Sequence, residues 1–332
     1  MKMKIYYKLL ESLRNRYLNL VGSNDLHIRP EDIAYSSVDA SELIYQTLSD
    51  SNPCMISRFG SVELTALNWF LESRKGHHYV VEYITGKCSK WWNNEPLCNE
   101  LRDNAGFFPA DENYVQRFVD LVCEDLKQID VLGSWVKSEE YIAPLLSHTH
   151  KVFLRDLEPF WVEHPWTRAL EGKKVLVVHP FANQILKQYK DHRGDLFENK
   201  DILPNFSLEV IPAVQSIGGE SNGFKDWFEA LQWMKDEIDK HDYDVCLIGC
   251  GAYGMSLAAH VKRIGKKAVH LAGALQLLFG IIGNRWADPN YGVKEWGIPM
   301  GSYSSLINEY WVRPGEQGRP KNAEKVEGAC YW

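Results

Sequence analysis

Short runs of apolar, β-favouring residues alternate along the chain with longer segments whose apolar residues recur at helical spacing. A run without a polar face is typical of a strand that is buried on both sides of a parallel sheet. Such strands alternating with helices predict an α/β fold, with a doubly wound, mostly parallel sheet, right-handed crossovers and helices on both faces. The predicted strands are 53–60, 129–135, 152–154, 173–179, 208–212, 245–248 and 267–271.

The helical periods divide the chain further. Residues 1–50 form an N-terminal helical segment, 51–290 the sheet domain and 291–332 a C-terminal extension packed on the surface, since 313–319 is rich in Pro and Gly. Residues 74–110 are aromatic and lack a clear period, so we expect an irregular insertion or a substrate-facing loop. The predicted helices are 4–20, 39–48, 61–73, 111–128, 138–146, 180–189, 224–239, 255–264 and 273–279.

The most informative stretch joins strand 245–248 to the helix that follows. Gly249, Gly251 and Gly254 stand there in the spacing G-x-G-x-x-G. Glycine lets a backbone turn tightly and approach a ligand, and the N–H groups of a helix start attract phosphate. The same spacing also occurs in a tight turn without a ligand, so both interpretations stay open. As a phosphate site, the turn would also use Ala252 and Tyr253.

A nicotinamide cofactor fits this stretch poorly. A dinucleotide-binding enzyme usually carries the glycine motif at its first strand, with an acidic residue about 20 residues later for the ribose. Here the motif lies late in the chain, and the next strand ends near His270 without an acidic residue. A different ligand that bears phosphate remains open.

Other predicted strand ends carry polar groups that meet at one edge of a parallel sheet. Arg58 can bind an anion, Gly60 allows a turn, and Ser61 can cap the next helix. Glu63 could bind a divalent metal, accept a proton from a hydroxyl, or only favour the helix dipole. Further donor-binding candidates, each equally compatible with a packing role, are His179, His270, Gly273 and Gln276.

Composition narrows the choice of partners. The chain has 332 residues, 45% of them hydrophobic, and a net charge of −7, which does not favour nucleic acid. Seven scattered cysteines without a C-x-x-C pair indicate no disulfide framework or zinc site. A polar N-terminus without a signal sequence predicts a cytoplasmic protein. Helix 4–20 combines apolar and basic residues, so it packs on the body or places the protein at the inner face of the membrane.

The run Arg58-Phe-Gly-Ser-Val-Glu-Leu64 resembles the R-F/Y-G-D-G-E motif of bacterial GT-D type glycosyltransferases. Residues 244–254, 262–270 and 273–286, which end in Arg285-Trp286, resemble the nucleotide-side C-terminal region of the same proteins. The resemblance implies a Rossmann-like domain that transfers a sugar from a nucleotide sugar, most often a UDP-sugar, to a glycan or lipid-linked glycan acceptor. It also implies a role in polysaccharide or glycoconjugate biosynthesis.

By position, the resemblance makes Glu63 and Arg58 the catalytic residues. Ser61 stands where the family has Asp, and Val62 where it has Gly. One carboxylate remains, so the diphosphate is neutralised either by Mn²⁺ or Mg²⁺ at Glu63, or by Arg58 and backbone N–H groups. Three alternatives stay open: a transferase for another phosphorylated donor such as phosphoribosyl pyrophosphate, an NAD-dependent oxidoreductase, and a non-catalytic nucleotide-binding protein of a polysaccharide system.

Overall fold

A computed structural model of the protein describes residues 2–22, 26–75, 78–315, 319, 323–325 and 329–332. All seven predicted strands are present. They are β1 (Cys54–Arg58), β2 (Val131–Ser134), β3 (His150–Phe153), β4 (Lys174–His179), β5 (Ser207–Pro212), β6 (Val245–Ile248) and β7 (Lys267–His270). They form one sheet in the order β3-β2-β1-β7-β6-β4-β5, and every pairing is parallel. The predicted Rossmann-like α/β architecture is therefore confirmed.

The helices follow the predicted ranges closely, and α3 matches its range at both ends. The segment predicted as helix 138–146 is a 3₁₀ helix over Lys137–Leu146. The α-helices are α1 (Lys2–Leu20), α2 (Ser37–Ser49), α3 (Ser61–Ser73), α4 (Val80–Ile84), α5 (Glu95–Ala105), α6 (Glu112–Leu126), α7 (Ala182–His192), α8 (Trp227–Ile238), α9 (Tyr253–Arg263), α10 (Leu275–Leu278), α11 (Asn284–Ala287) and α12 (Val293–Trp296).

The segment 74–110 is more regular than its sequence predicts. It contains α4 and α5, and the buried positions of α5 include Leu97, Leu101 and Ala105, which lie on one helical face. Pro96 argues against a helix here, because proline disrupts the interior of a helix, but proline is tolerated in the first turn. Gly106, at φ +76°, then ends the helix. Residues 76 and 77 lie outside the described residues.

The segment 291–332 is not a surface extension. Trp296, Tyr303, Trp311 and Trp332 are all buried and belong to the same core cluster. The prediction is wrong for these residues, because Pro and Gly at 313–319 do not determine how the flanking aromatic side chains pack. Residues 316–318 of that stretch lie outside the described residues.

Side chains along each strand alternate between two cores, one on each face of the sheet. The first core contains α3, α5, α6, α8 and α9, and the second contains α2, α7 and α10. The chain therefore leaves β1 and β6 toward one face, and leaves β7 and β4 toward the other. Adjacent strands whose connections part in this way open a crevice at their carboxyl ends, which is where ligands bind in such sheets.

Asp130 directly precedes β2 and links two other parts of the chain on the side of the sheet away from the crevice. Its carboxylate accepts the N–H of Met55 at 2.8 Å and the Lys262 ammonium at 2.7 and 2.8 Å. We expect Asp130→Ala to lower the free energy of unfolding by roughly 2–3 kcal/mol, because a charged hydrogen-bond acceptor is removed from a buried donor. Denaturant unfolding measures this. The control is Asp242→Ala, whose carboxylate pairs with Lys174 at the exposed surface; equal losses in both variants would contradict the prediction.

Candidate functional site

A cavity of about 390 Å³ lies at the carboxyl ends of β1, β7, β6 and β4. Nearly all the side chains and turns predicted from the sequence line it, although they come from four separate stretches of the chain. Ala252 and Gly254 do not line it. The predicted residues in its wall are Arg58, Gly60, Ser61, Glu63, His179, Gly249, Gly251, Tyr253, His270, Gly273 and Gln276.

Arg58 ends β1, and its guanidinium lies 5.3 Å from the centre of the Trp135 ring. The Nε of Arg58 is buried and has no hydrogen-bond partner among the described residues. Burial lowers the pKa of Arg58, and the neighbouring Tyr331 and Glu63 act in the opposite direction. Because an arginine stays protonated even so, the cavity wall carries a poorly hydrated cation.

Glu63 lies in the first turn of α3, and its carboxylate folds back over the helix start. A Cβ atom on Gly60 would lie 2.0 Å from Glu63 Oε2, so glycine is what leaves room for the carboxylate. Burial raises the pKa of Glu63, while a hydrogen bond from its own backbone N–H and the charge of Arg58 lower it. The structure thus brings the two predicted catalytic side chains within electrostatic reach of each other.

A second carboxylate, Glu158, lines the same cavity and was missed from the sequence. Trp161 Nε1 donates to it at 2.8 Å, and the Tyr303 hydroxyl donates at 2.9 and 3.1 Å. Burial raises its pKa, and the charge of Arg58 is among the influences that lower it. Glu158 stands five residues beyond β3, so the rule that strand carboxyl ends gather at one edge could have found it.

His179 ends β4 and is buried. The backbone N–H of Phe181 donates to its Nδ1 at 3.0 Å. Burial lowers the pKa of His179 to about 3, so the ring is neutral near pH 7. With Nδ1 accepting, the single ring proton is on Nε2. His179 can therefore donate one hydrogen bond to an oxygen atom in the cavity.

His270 ends β7, and its Nδ1 lies 3.1 Å from the Ser57 hydroxyl. Burial and the charge of Arg58 lower its pKa to about 3. Its Nε2 is buried without a partner among the described residues. A Cβ atom on Gly254 would lie 2.2 Å from this Nε2. Gly254 thus has a packing role beneath His270.

The glycine turn after β6 uses most of its N–H groups within the protein. Gly249 donates to Val178 and Gly254 donates to Gly251, at 2.9 and 3.1 Å. The C-terminal residue of α5, Ala105, accepts the N–H of Ala252 at 3.2 Å. Within the described chain, only the N–H groups of residues 250 and 251 in this turn have no recorded acceptor. The turn offers fewer free donors than its spacing predicts.

The turn after β7 offers more free N–H donors than the glycine turn. Ala272 has a φ of +51°, in the left-handed region that an alanine rarely adopts. It follows Leu271 in the right-handed region, and such a pair points successive N–H groups into one concavity that suits an anion. Ala272, Gly273 and Ala274 all line the cavity. The sequence predicted only Gly273 here, because alanine carries no sign of a left-handed turn.

The last described residues close one side of the cavity beside a second arginine. The backbone N–H of Arg285 donates to the backbone carbonyl of Cys330 at 3.0 Å, and the Arg285 guanidinium lies 4.9 Å from the centre of the Tyr331 ring. A Cβ atom on Gly273 would lie 2.3 Å from that ring. Gln276 donates to the backbone carbonyls of Ile281 and Tyr331 at 3.2 and 3.3 Å, so its amide holds this wall in place.

The described residues do not form a ready-made metal centre at Glu63, where the family resemblance implies a divalent ion. Across the described ranges, no three His, Cys, Asp or Glu side chains form a group that could hold a metal ion. The carboxyls of Glu63 and Glu158 both lie in the field of Arg58. Cys250 also lines the cavity, but burial raises the pKa of its thiol, which argues against a nucleophile.

Comparison with known proteins adds little to this geometry. No family model matches the chain, and no curated protein matches it. One solved structure, the selenomethionine-substituted form of a domain of unknown function (DUF1792), covers 93% of this chain and 96% of its own, with 10% sequence identity and a TM-score of 0.34. A likeness at this level supports no inference about activity. Among the helices the structure describes, none is long and apolar enough to cross a membrane.

The two buried histidines predict a loss of stability in acid. Unfolding returns each ring to its ordinary pKa of 6.5, whereas the folded value is about 3. Below pH 6.5 the unfolded chain therefore binds more protons, and the stability present above that pH is lost as the pH falls toward 3. We expect the free energy of unfolding to fall by roughly 2 kcal/mol per histidine between about pH 7 and about pH 5.

The variant His270→Asn separates this effect from other titrating groups. It removes one of the two rings, so about half of the histidine-dependent loss should disappear while the loss from His179 remains. Denaturant unfolding of both proteins at the two pH values measures the difference. The same pH dependence in the variant as in the parent would show that His270 is not kept neutral by burial.

Proposed function

We propose that the protein is a glycosyltransferase that moves a sugar from a nucleotide-sugar donor to a hydroxyl group of a glycan acceptor. One observation carries the proposal: in a single cavity, two arginines, a neutral histidine donor and a turn of free N–H groups face two carboxylates. The arginines, the histidine and the N–H groups suit a diphosphate, and the two carboxylates suit sugar hydroxyls. The family resemblance of residues 58–64 and 244–286 agrees with this division.

The donor diphosphate is expected between Arg58, Arg285 and the turn at 272–274. A diphosphate that leaves with additional charge needs cations and fixed N–H donors close to its oxygens. His179 Nε2–H adds one donor without adding charge. These groups neutralise the leaving group with the chain's own residues, so the proposed reaction does not depend on a metal ion. A cavity of about 390 Å³ is within the range usual for ligands of this size.

The chemical step is a substitution at the anomeric carbon of the donor sugar. The acceptor oxygen forms a bond to that carbon, the bond from the carbon to the diphosphate oxygen breaks, and its electron pair stays on the diphosphate. The acceptor hydroxyl loses its proton to Glu63. Glu63 suits this role because its carboxylate accepts only its own backbone N–H among the recorded contacts, and because burial raises its pKa toward that of a useful base.

Glu158 is assigned a different role. Its oxygens already accept hydrogen bonds from Trp161 and Tyr303, so the carboxylate is fixed in position. A fixed carboxylate at the wall is suited to accept a hydrogen bond from a sugar hydroxyl. Aromatic rings from Trp135, Trp286 and Tyr291 line the same cavity and offer faces for the apolar side of a sugar ring.

An NAD-dependent reaction is less well supported. The strand after the glycine turn ends at His270, whose ring bonds to Ser57 and packs on Gly254. Residues 267–276, all of which the structure describes, include no carboxylate to accept the ribose hydroxyls, as nicotinamide-binding sheets require. Phosphoribosyl transfer and nucleotide binding without catalysis are distinguished by the measurements below.

Ligand binding gives the first test of the proposal. We expect UDP, in the presence of EDTA, to stabilise the protein by about 2–3 kcal/mol at a 100-fold excess over its Kd, because a ligand of the folded state alone shifts unfolding by mass action. Arg285→Met should abolish this stabilisation. Thermal unfolding with UDP, phosphoribosyl pyrophosphate and NAD measures it. Stabilisation by NAD alone, or by UDP only when manganese is present, would overturn the proposed donor site.

Turnover gives the second test. We expect Glu63→Gln to lower kcat by about 10²-fold or more with little change in the Kd for UDP, because loss of a general base slows chemistry and leaves donor binding intact. The matched control is Glu309→Gln, an exposed carboxylate outside the cavity. Sugar transfer or hydrolysis from UDP-sugars is the readout. Normal turnover in the Glu63 variant would remove Glu63 from the chemistry, and UDP binding without any turnover in the parent would favour a non-catalytic protein.

A further inference from the structure

The outward face of helix α1 is apolar and uncovered. Leu20 is 86% exposed, Ile5 62% and Leu9 56%. Together with Leu13 and Tyr17 they recur every three or four residues, which places them on one side of the helix. Single exposed apolar side chains are ordinary, but a stripe of them over about four helical turns marks an interaction surface.

The opposite face of α1 is already bound to the protein. Leu10 is buried, and Tyr7 stacks on Trp92 with ring centres 4.5 Å apart. Arg14 donates to the backbone carbonyls of Tyr83 and Cys88. These contacts hold the helix on the body, while the side chains of the outer stripe remain 38–86% exposed.

The charge around the stripe indicates what covers it. Helix α1 contains five Lys or Arg residues and one Glu, in a chain whose net charge is −7. Lys4, Lys8 and Arg16 are exposed beside or within the stripe. The one acidic residue, Glu11, pairs with Lys90 at 3.0 Å. The face thus joins apolar side chains to unneutralised positive charge, against the sign of the whole protein.

We propose that α1 docks on an anionic lipid surface and lies in the plane of the interface. Apolar side chains on one face with Lys and Arg around them are what an interfacial helix requires, and each basic residue adds attraction to anionic headgroups. A second copy of this chain is a poorer occupant, because a symmetric pair would place the same basic helix against itself.

Co-sedimentation of the full chain with vesicles tests the proposal. We expect the protein to pellet with vesicles of phosphatidylglycerol and phosphatidylcholine in equal parts, and to stay in solution with phosphatidylcholine alone. Binding should fall as salt is raised. Lys4→Glu with Lys8→Glu is expected to weaken partitioning roughly tenfold or more, because each change removes an attraction to the headgroups and adds a repulsion.

Two matched pairs of variants complete the design. Leu9→Ser with Leu13→Ser should abolish binding, whereas Leu186→Ser with Ile264→Ser, at exposed apolar positions on other elements, should not. Lys187→Glu with Lys190→Glu on α7 is the control for charge. Circular dichroism of each variant confirms that it is folded. The proposal is overturned if the parent binds both vesicle types equally or neither, or if sedimentation velocity shows a dimer that the Leu9 and Leu13 changes dissociate.

Discussion

The free-energy cost of removing the Arg58 guanidinium from water determines which groups must surround it in the cavity. A guanidinium at the end of a central strand, with a buried Nε that no described residue satisfies, is stable only where rings and carboxylates compensate for lost hydration. Trp135 supplies the ring, and Glu63 and Glu158 supply the negative field. The same cation keeps His270 neutral by adding to the effect of burial. Burial is the main influence on the pKa values of Glu63, Glu158 and His270, and the charge of Arg58 adds to or opposes that influence in each of them.

Much of this arrangement follows from the pattern of the chain. The seven strands could be predicted because each is a short apolar run buried on both sides, and parallel strands gather their carboxyl ends at one edge. That rule brought Arg58, His179 and His270 into one site from distant positions. It could not bring in Arg285 or Tyr331, because Arg285 lies in the short helix α11 and Tyr331 near the last described residue, and both reach the cavity only through tertiary packing after the last strand. Nor could it predict the left-handed Ala272, since the residue type normally avoids that conformation.

The glycine motif shows why spacing alone misleads. Gly249 and Gly254 are required by neighbours inside the protein, since side chains there would meet Ala272 O or the His270 ring. Most N–H groups of the glycine motif are bonded within the chain, and the N–H groups available to an anion come from the neighbouring turn after β7. The glycines of the motif therefore allow the chain after β6 to pack closely against the chain after β7. The backbone N–H groups that face the ligand follow β7 instead of β6.

The order of the strands also governs how the molecule is made. At the centre of the sheet β1 pairs with β7, and Ser57 meets His270 across 213 residues of chain. Pairings so distant in sequence close late, because the intervening loop must lose its entropy before any contact repays it. During synthesis the first three strands leave the ribosome long before their central neighbour exists. The edge of β1 that pairs with β7 therefore stays unpaired until β7 has been made.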